Sequence, residues 1–313
     1  MIGKFLIFIF LILVLQIVVC LNFDLKQNED IENKIENEIR NENDKIERKV
    51  IGGTLASLGQ FPYSAVLRLG YTNGSIGFNC GGTLVKYNWV LSSASCIDGY
   101  DDVSVYFGIL YLYDEANALM SQDVPHKHRF IHPSYNNFTN NIGLLFLKLA
   151  TRALLNHPHI DILELPTHEE AKMNLVGWTG IFSGYGSTFD YVHDDYIYGY
   201  LHFVSLPIVN NINCQITFPN YTTLKTVCTD SIDNRAPCYG DVGNGLSIEL
   251  ANGRKILVGI FSFYTKYCMV DTPSFFEGIF DHLNWIEETF KNSSPIVGLS
   301  FTLLIISIVY ILK

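Results

Sequence analysis

Six cysteines in the body of this 313-residue chain constrain its fold more than any other feature: Cys80, Cys96, Cys214, Cys228, Cys238 and Cys268. An even set of cysteines is a disulfide framework when the chain is exported, because the cytosol keeps thiols reduced. Export is what the N-terminus announces. After Lys4, the run Phe5 to Val19 is apolar, and residues 1–20 read as a signal peptide ending near the seventh cysteine, Cys20. Spacing alone leaves the pairing of the six open. No Cys-x-x-Cys pair is present to suggest zinc.

The other end is apolar too. From Pro295 to Leu312 the chain could just cross a bilayer core, at about 1.5 Å per helical residue. It stops at Lys313, and the small polar residues Asn292, Ser293 and Ser294 stand before it. Residues 292–313 are therefore expected to be a GPI-attachment signal or a single transmembrane anchor, and the protein to sit at the cell surface. Residues 21–49 are dense in Asn, Glu, Asp and Lys. Only Ile31, Ile35, Ile39 and Ile46 recur at helical spacing, so the segment reads as a solvated acidic pro-segment or stalk. Four N-x-Ser/Thr sequons, at Asn73, Asn137, Asn220 and Asn292, fit an exported glycoprotein.

With 48% apolar residues the body can bury a sizeable core, and a net charge of −10 argues against nucleic acid as a partner. Residues 50 to about 290 read as short strands punctuated by Gly, Asn and Pro. The expected strands include Tyr63–Leu69, Gly82–Ser92, Val103–Leu112, Leu144–Leu149, Tyr200–Pro207 and Ile256–Phe263. Ile279, Leu283, Ile286 and Phe290 have helical spacing. Many short strands and one terminal helix suggest an all-β sandwich or barrels.

An ordered series of blocks then points to a family. Val50-Ile51-Gly52-Gly53 after Arg48-Lys49 resembles the activation site of trypsin-like serine peptidases, and Phe61-Pro62-Tyr63 resembles their first strand. Cys80-Gly81-Gly82-Thr83-Leu84 with Trp89 to Cys96 resembles the block that carries the catalytic His. Ile131-His132-Pro133-Ser134-Tyr135 with Asn140 to Leu145 resembles the block of the catalytic Asp. Gly184-Tyr185-Gly186 follows, Cys238-Tyr239-Gly240-Asp241-Val242-Gly243-Asn244 resembles the nucleophile loop, and Ser262-Phe263 and Trp285-Ile286 close the match. The resemblance implies two six-stranded antiparallel β-barrels over residues 50–291, a C-terminal helix, and bridges Cys80–Cys96, Cys214–Cys228 and Cys238–Cys268.

The same alignment removes the chemistry. A Ser oxygen should attack, an imidazole should take its proton and a carboxylate should orient the imidazole. The matching positions hold Val242, Ser95 and Asn141. Valine has no nucleophilic atom, a serine hydroxyl is no base near neutral pH, and an amide carries no charge. At the substrate pocket the matching positions are Ala236, Tyr264 and Ser274, so a basic side chain would find no counter-charge and the tyrosine would fill the slot. Gly108-Ile109 lacks the acidic residue of the family's calcium loop, and His126-x-His128 could set two imidazoles on one strand face. No metal or cofactor is expected. Asp241 is expected either to pair with a new amine at Val50 after cleavage behind Lys49 or to persist as a satisfied buried residue. The reading is an inactive peptidase homologue that binds an extracellular protein. The alternatives are an endopeptidase working through other groups, or an adhesive surface module.

Overall fold

The computed structural model describes residues 53–75, 79–136, 139–148, 157–186, 199–219, 226–231, 236–263 and 272–293. The expected signal peptide, the segment 21–49, Val50, Tyr264, Cys268, the sequons at Asn137 and Asn220, and the tail beyond Ser293 lie outside them.

The described chain is all-β apart from short helices. After β1 (Thr54–Leu55) come β2 (Ser64–Gly70), β3 (Cys80–Lys86), β4 (Trp89–Ser92), β5 (Asp102–Phe107), β6 (Met120–Asp123), β7 (Arg129–Ile131) and β8 (Gly143–Phe146). The second half holds β9 (Thr179–Gly184), β10 (His202–Val209), β11 (Thr226–Thr229), β12 (Gly245–Glu249), β13 (Lys255–Phe263) and β14 (Ser274–Gly278). Helix α1 (Asn211–Thr217) follows β10, and α2 (Leu283–Ser293) ends the described chain.

The expectation of two antiparallel barrels and a C-terminal helix holds, with one difference in closure. In the second half, β10–β11–β14–β13–β12–β9 is closed by pairing of β9 with β10, giving a six-stranded barrel with β1 added at an edge. The first half is a seven-stranded sheet, β6–β5–β2–β3–β4–β8–β7, curled into a half-barrel.

Strand periodicity decides which side chains go inside. In β10, His202, Val204, Leu206 and Ile208 are buried while the residues between them are not. The first core gathers Leu67, Leu84, Trp89, Leu91, Val105 and Leu144, and the second Phe182, Leu206, Leu246, Phe261 and Phe276. Helix α2 buries Leu283, Ile286 and Phe290, one stripe of its surface, and Phe290 meets the Trp89 ring at 5.0 Å. Asn210 caps α1, its Oδ1 accepting from Ile212 N.

Register places the loops that matter. The pairs Leu67↔Cys80, Gly70↔Asp102, Thr83↔Leu91 and Ser92↔Gly143 bring the connections after β2, β4 and β7 to one end of the first sheet. That end carries both Ser95 and Asn141.

Some element boundaries differ from expectation. The strand expected over Gly82–Ser92 is two strands, turned back at Tyr87 and Asn88 so that Lys86 pairs with Trp89. The strand expected over Val103–Leu112 stops at Phe107, because Gly108 takes a left-handed φ of 68°. His126 to His128 form a 3-10 turn rather than a strand, so they share no strand face, and His128 instead packs edge-on against Phe146.

Candidate functional site

The site is built where the two halves touch. The bridge Cys80–Cys96 (Cα–Cα 6.0 Å) fastens the start of β3 to the turn after β4, which holds Ser93 and Ser95. Gly81 N donates to Val242 O at 2.7 Å, and Ser92 Oγ donates to Gly81 O at 2.7 Å. This approach needs glycine: a Cβ on Gly81 would stand 2.1 Å from the Asn244 side chain. The second bridge, Cys214–Cys228, ties α1 to β11. Cys238 is bridged as well.

Asn141 is the hub of the first-half side. It is buried, and its neighbour Asn140 adopts φ 52°, the one left-handed non-glycine among the described residues, a conformation Asn tolerates. Asn141 Oδ1 accepts from Ser93 Oγ at 2.8 Å and from Ser95 N at 2.9 Å. Its Nδ2 donates to Ser262 O at 3.1 Å and to Ser95 Oγ at 3.3 Å. The Ser262 carbonyl is available because the β13–β14 register shifts between Phe261 and Phe263. Ser93 Oγ and Ser95 Oγ also lie 2.6 Å apart. The structure thus brings Ser95 and Asn141 together, and both satisfy each other without an imidazole. Among the described residues no histidine hydrogen-bonds the side chain of Ser93, Ser95 or Asn141.

Val242 sits on the loop between Cys238 and β12. It is half-buried and packs against both cores at their seam. Gly240 and Gly243 hold φ of 86° and 93°, turning the loop sharply on either side of Asp241 and Val242. No acceptor among the described residues takes the N–H groups of Gly240 and Val242. Two unengaged backbone donors on one tight loop are the kind of group an oxyanion would need.

Asp241 is fully buried beneath that loop. Its Oδ1 accepts from Gly186 N and its Oδ2 from Cys238 N, both at 2.8 Å. Gly184 and Gly186 make room for it, since a Cβ on either would stand within 2.4 Å of the carboxylate. Burial pushes this carboxyl up to about 7, and the two N–H donors hold it from going further. Among the described residues no cation pairs with it; Val50 lies outside them.

At the pocket positions, Ala236 and Ser274 are both buried and carry no charge. Ile109 is buried in the first core, and its carbonyl accepts from Tyr185 Oη at 2.7 Å, so that loop presents no carboxylate at this position.

Sequence reasoning missed Glu277 and His282. Both are buried behind Asn141. Glu277 Oε2 accepts from Asn141 N at 3.1 Å, and Oε1 meets His282 Nε2 at 2.7 Å. The Glu277 carboxyl orients the ring through Nε2, and His282 Nδ1 has no hydrogen-bond partner among the described residues. His132, whose ring lies 5.0 Å from those of His282 and Trp285, belongs to this packing and not to the cleft side. A strand residue and a 3-10 residue five apart give no pattern that could have flagged the pair. Glu277→Gln is expected to lower stability by about 2 kcal/mol, because one amide cannot accept from both Asn141 N and His282. A lower urea midpoint at unchanged m-value would show it; an unchanged midpoint would mean the pair is dispensable.

A closed six-stranded barrel and a half-barrel, pinned together by glycine contacts and a bridged loop cluster at the seam, define a chymotrypsin-like protein. The comparisons agree. A model of the trypsin family matches residues 50–286. Similar proteins include a collagenase of Hypoderma lineatum, 26% identical over 251 residues (77% of this chain, 87% of the relative). Serine protease 1 of Drosophila melanogaster is 25% identical over 252 residues (78% and 86%). Vitamin K-dependent protein C of Mus musculus is 26% identical over 269 residues (84% and 54%). The solved structure of HL collagenase superposes with a TM-score of 0.65 at 23% identity, over 77% of this chain and 98% of that one. This chain belongs to the trypsin family of serine peptidases.

Proposed function

We propose that this chain is a catalytically inert member of its family that works outside the cell, held at the surface by its C-terminal tail, as a binding or regulatory protein. The observation that carries the reading is the closed network at Ser93, Ser95 and Asn141. Every polar atom that would otherwise serve a catalytic imidazole is occupied by a serine or an amide. Valine at 242 supplies methyl groups to the cores where an attacking oxygen would be required. The bridged cysteines fit an oxidising compartment. The relatives named as proteases supply the competing reading, an endopeptidase working through other groups.

Purified chain is expected to show no burst and no covalent label with a serine-directed phosphonate, and no turnover of peptide or ester substrates above a heat-denatured control. Stoichiometric labelling that disappears with Ser95→Ala or Ser93→Ala would overturn the proposal in favour of the endopeptidase.

The pair of Val50 and Asp241 adds a possible control point to this reading. A cut behind Lys49 would create an amine at Val50, and Asp241 is a buried carboxyl whose two present partners are neutral. Such a cut would change the shape of the loop that carries Val242 without creating a peptidase.

A further inference from the structure

We infer that Asn73 carries an N-linked oligosaccharide, standing at the end of the first sheet where Ser95 and Asn141 lie. This rests on the proposed export of the chain. Asn73-Gly74-Ser75 is the one sequon of the four whose three residues are all among the described ones. A sequon in the unfolded chain is only permission; the fold must then accommodate a bulky polar branch.

The turn after β2 does so. Residues 71–75 are all exposed. Tyr71 N donates to Ser75 O at 3.1 Å and Gly74 N to Tyr71 O at 2.9 Å, closing the turn on itself. Gly74 takes φ 81° with open space around it, so a substituent on the preceding side chain meets no neighbour there. Asn73 uses only its carbonyl in the fold: Oδ1 accepts from Ser75 N at 2.9 Å and from Ser75 Oγ at 2.6 Å. The amide nitrogen Nδ2, the atom that would be modified, makes no hydrogen bond among the described residues and is not needed by the turn. Thr72, the next residue back, is fastened by two bonds to Asp101 Oδ2, at 2.8 and 3.1 Å. The base of the turn is therefore fixed while its tip is left clear.

The step is a group transfer. Nδ2 of Asn73 forms a bond to the anomeric carbon of a lipid-diphosphate-linked oligosaccharide. The bond from that carbon to the diphosphate oxygen breaks, the lipid diphosphate leaves with the electron pair, and Nδ2 gives up one proton. Nothing is oxidised or reduced.

Position follows from register. The turn joins β2 to β3 at the end where Gly70 pairs with Asp102 and Ser92 with Gly143. The connections bearing Ser95 and Asn141 leave the sheet at that same end. An oligosaccharide on Asn73 makes that end a solvent face, so a bound protein or a bilayer would lie elsewhere on the domain.

The test uses the full chain made in a secreting eukaryotic cell, digested with N-glycosidase in heavy-oxygen water and mapped by mass spectrometry. The expected result is conversion of Asn73 to labelled aspartate in the native chain and in Ser75→Thr, which keeps the hydroxyl. Asn73→Gln and Ser75→Ala should both lose it. An unlabelled Asn73 in surface-exposed chain with the Cys80–Cys96 bridge formed would overturn this inference and leave the export reading standing. Chain recovered from the cytosol with free thiols would overturn both.

Discussion

Replacing Ser95 by His, Asn141 by Asp and Val242 by Ser in one chain is expected to raise ester hydrolysis at least about 10³-fold over the native chain. Val242→Ser alone is expected to leave it at the native level. The asymmetry follows from how a triad acts: removing its serine or its histidine alone costs about as much as removing all three, so a lone serine recovers nothing. What makes recovery reachable is the backbone, since the left-handed Gly240 and Gly243 still shape a tight loop, and no acceptor among the described residues takes the N–H groups of Gly240 and Val242. The substrate should have an uncharged side chain, because Ala236 offers no counter-charge. The gain should fall short of a full triad for two reasons visible in the structure. An aspartate at 141 would face the Ser262 carbonyl, now met by the amide Nδ2. It would also share its surroundings with the Glu277 carboxylate, 3.1 Å from Asn141 N, and two buried like charges resist ionising together. A triple variant no more active than the native chain, with its bridges and melting transition intact, would show that the loop donors are misplaced.

Cutting the chain behind Lys49 is expected to raise the melting temperature by about 10 °C at pH 8 and by much less at pH 5. The sign comes from Asp241. Burial holds its folded-state value up at about 7, whereas an unfolded aspartate sits near 3.9. As pH rises between those two values, the unfolded chain has already released the proton that the folded chain still holds. Stability is therefore lost across that window, and the full cost is present above about pH 7. The gap is worth about 4 kcal/mol. An ammonium group delivered from Val50 would favour the charged carboxylate and offset that cost where it is largest. At about 2–4 °C per kcal/mol for a domain of this size, the effect is easily read by calorimetry. Asp241→Asn should remove the difference between cut and intact chains. Identical melting of the two at every pH would mean that the amine never reaches the carboxyl.

How far the sequence foretold this is clearest at single residues. The all-β architecture and the partners of Cys80 and Cys214 were legible, because glycines and cysteines mark positions that tolerate little else. The pairing itself came through the family resemblance and not from spacing. The hairpin at Tyr87 and Asn88 was passed over: Asn88 favours a turn, but it stands with no Gly or Pro beside it between the apolar pairs Leu84-Val85 and Trp89-Val90. The half-barrel was hidden too, because closure depends on strand tilt and edge pairing that no local pattern records. At the site, Ser95, Asn141 and Val242 were located by flanking blocks, and the structure brings the first two into one hydrogen-bonded cluster. Ser93 was overlooked in a run of small residues, yet it supplies the third member of that cluster. Glu277 and His282 were invisible because their contact is made through space across a strand end and a turn, where periodicity carries no information.

Val242 has a further consequence. Its methyl groups touch both cores at once. Any step back toward a hydroxyl removes apolar contact at that seam before it restores any chemistry. Asn141 works in the same direction, since a carboxylate could not give the two bonds that its Nδ2 donates, to Ser262 O and Ser95 Oγ. On the proposed reading, a loss of cutting ability would behave as a ratchet: the more the fold leans on the residues at 141 and 242, the fewer single steps lead back.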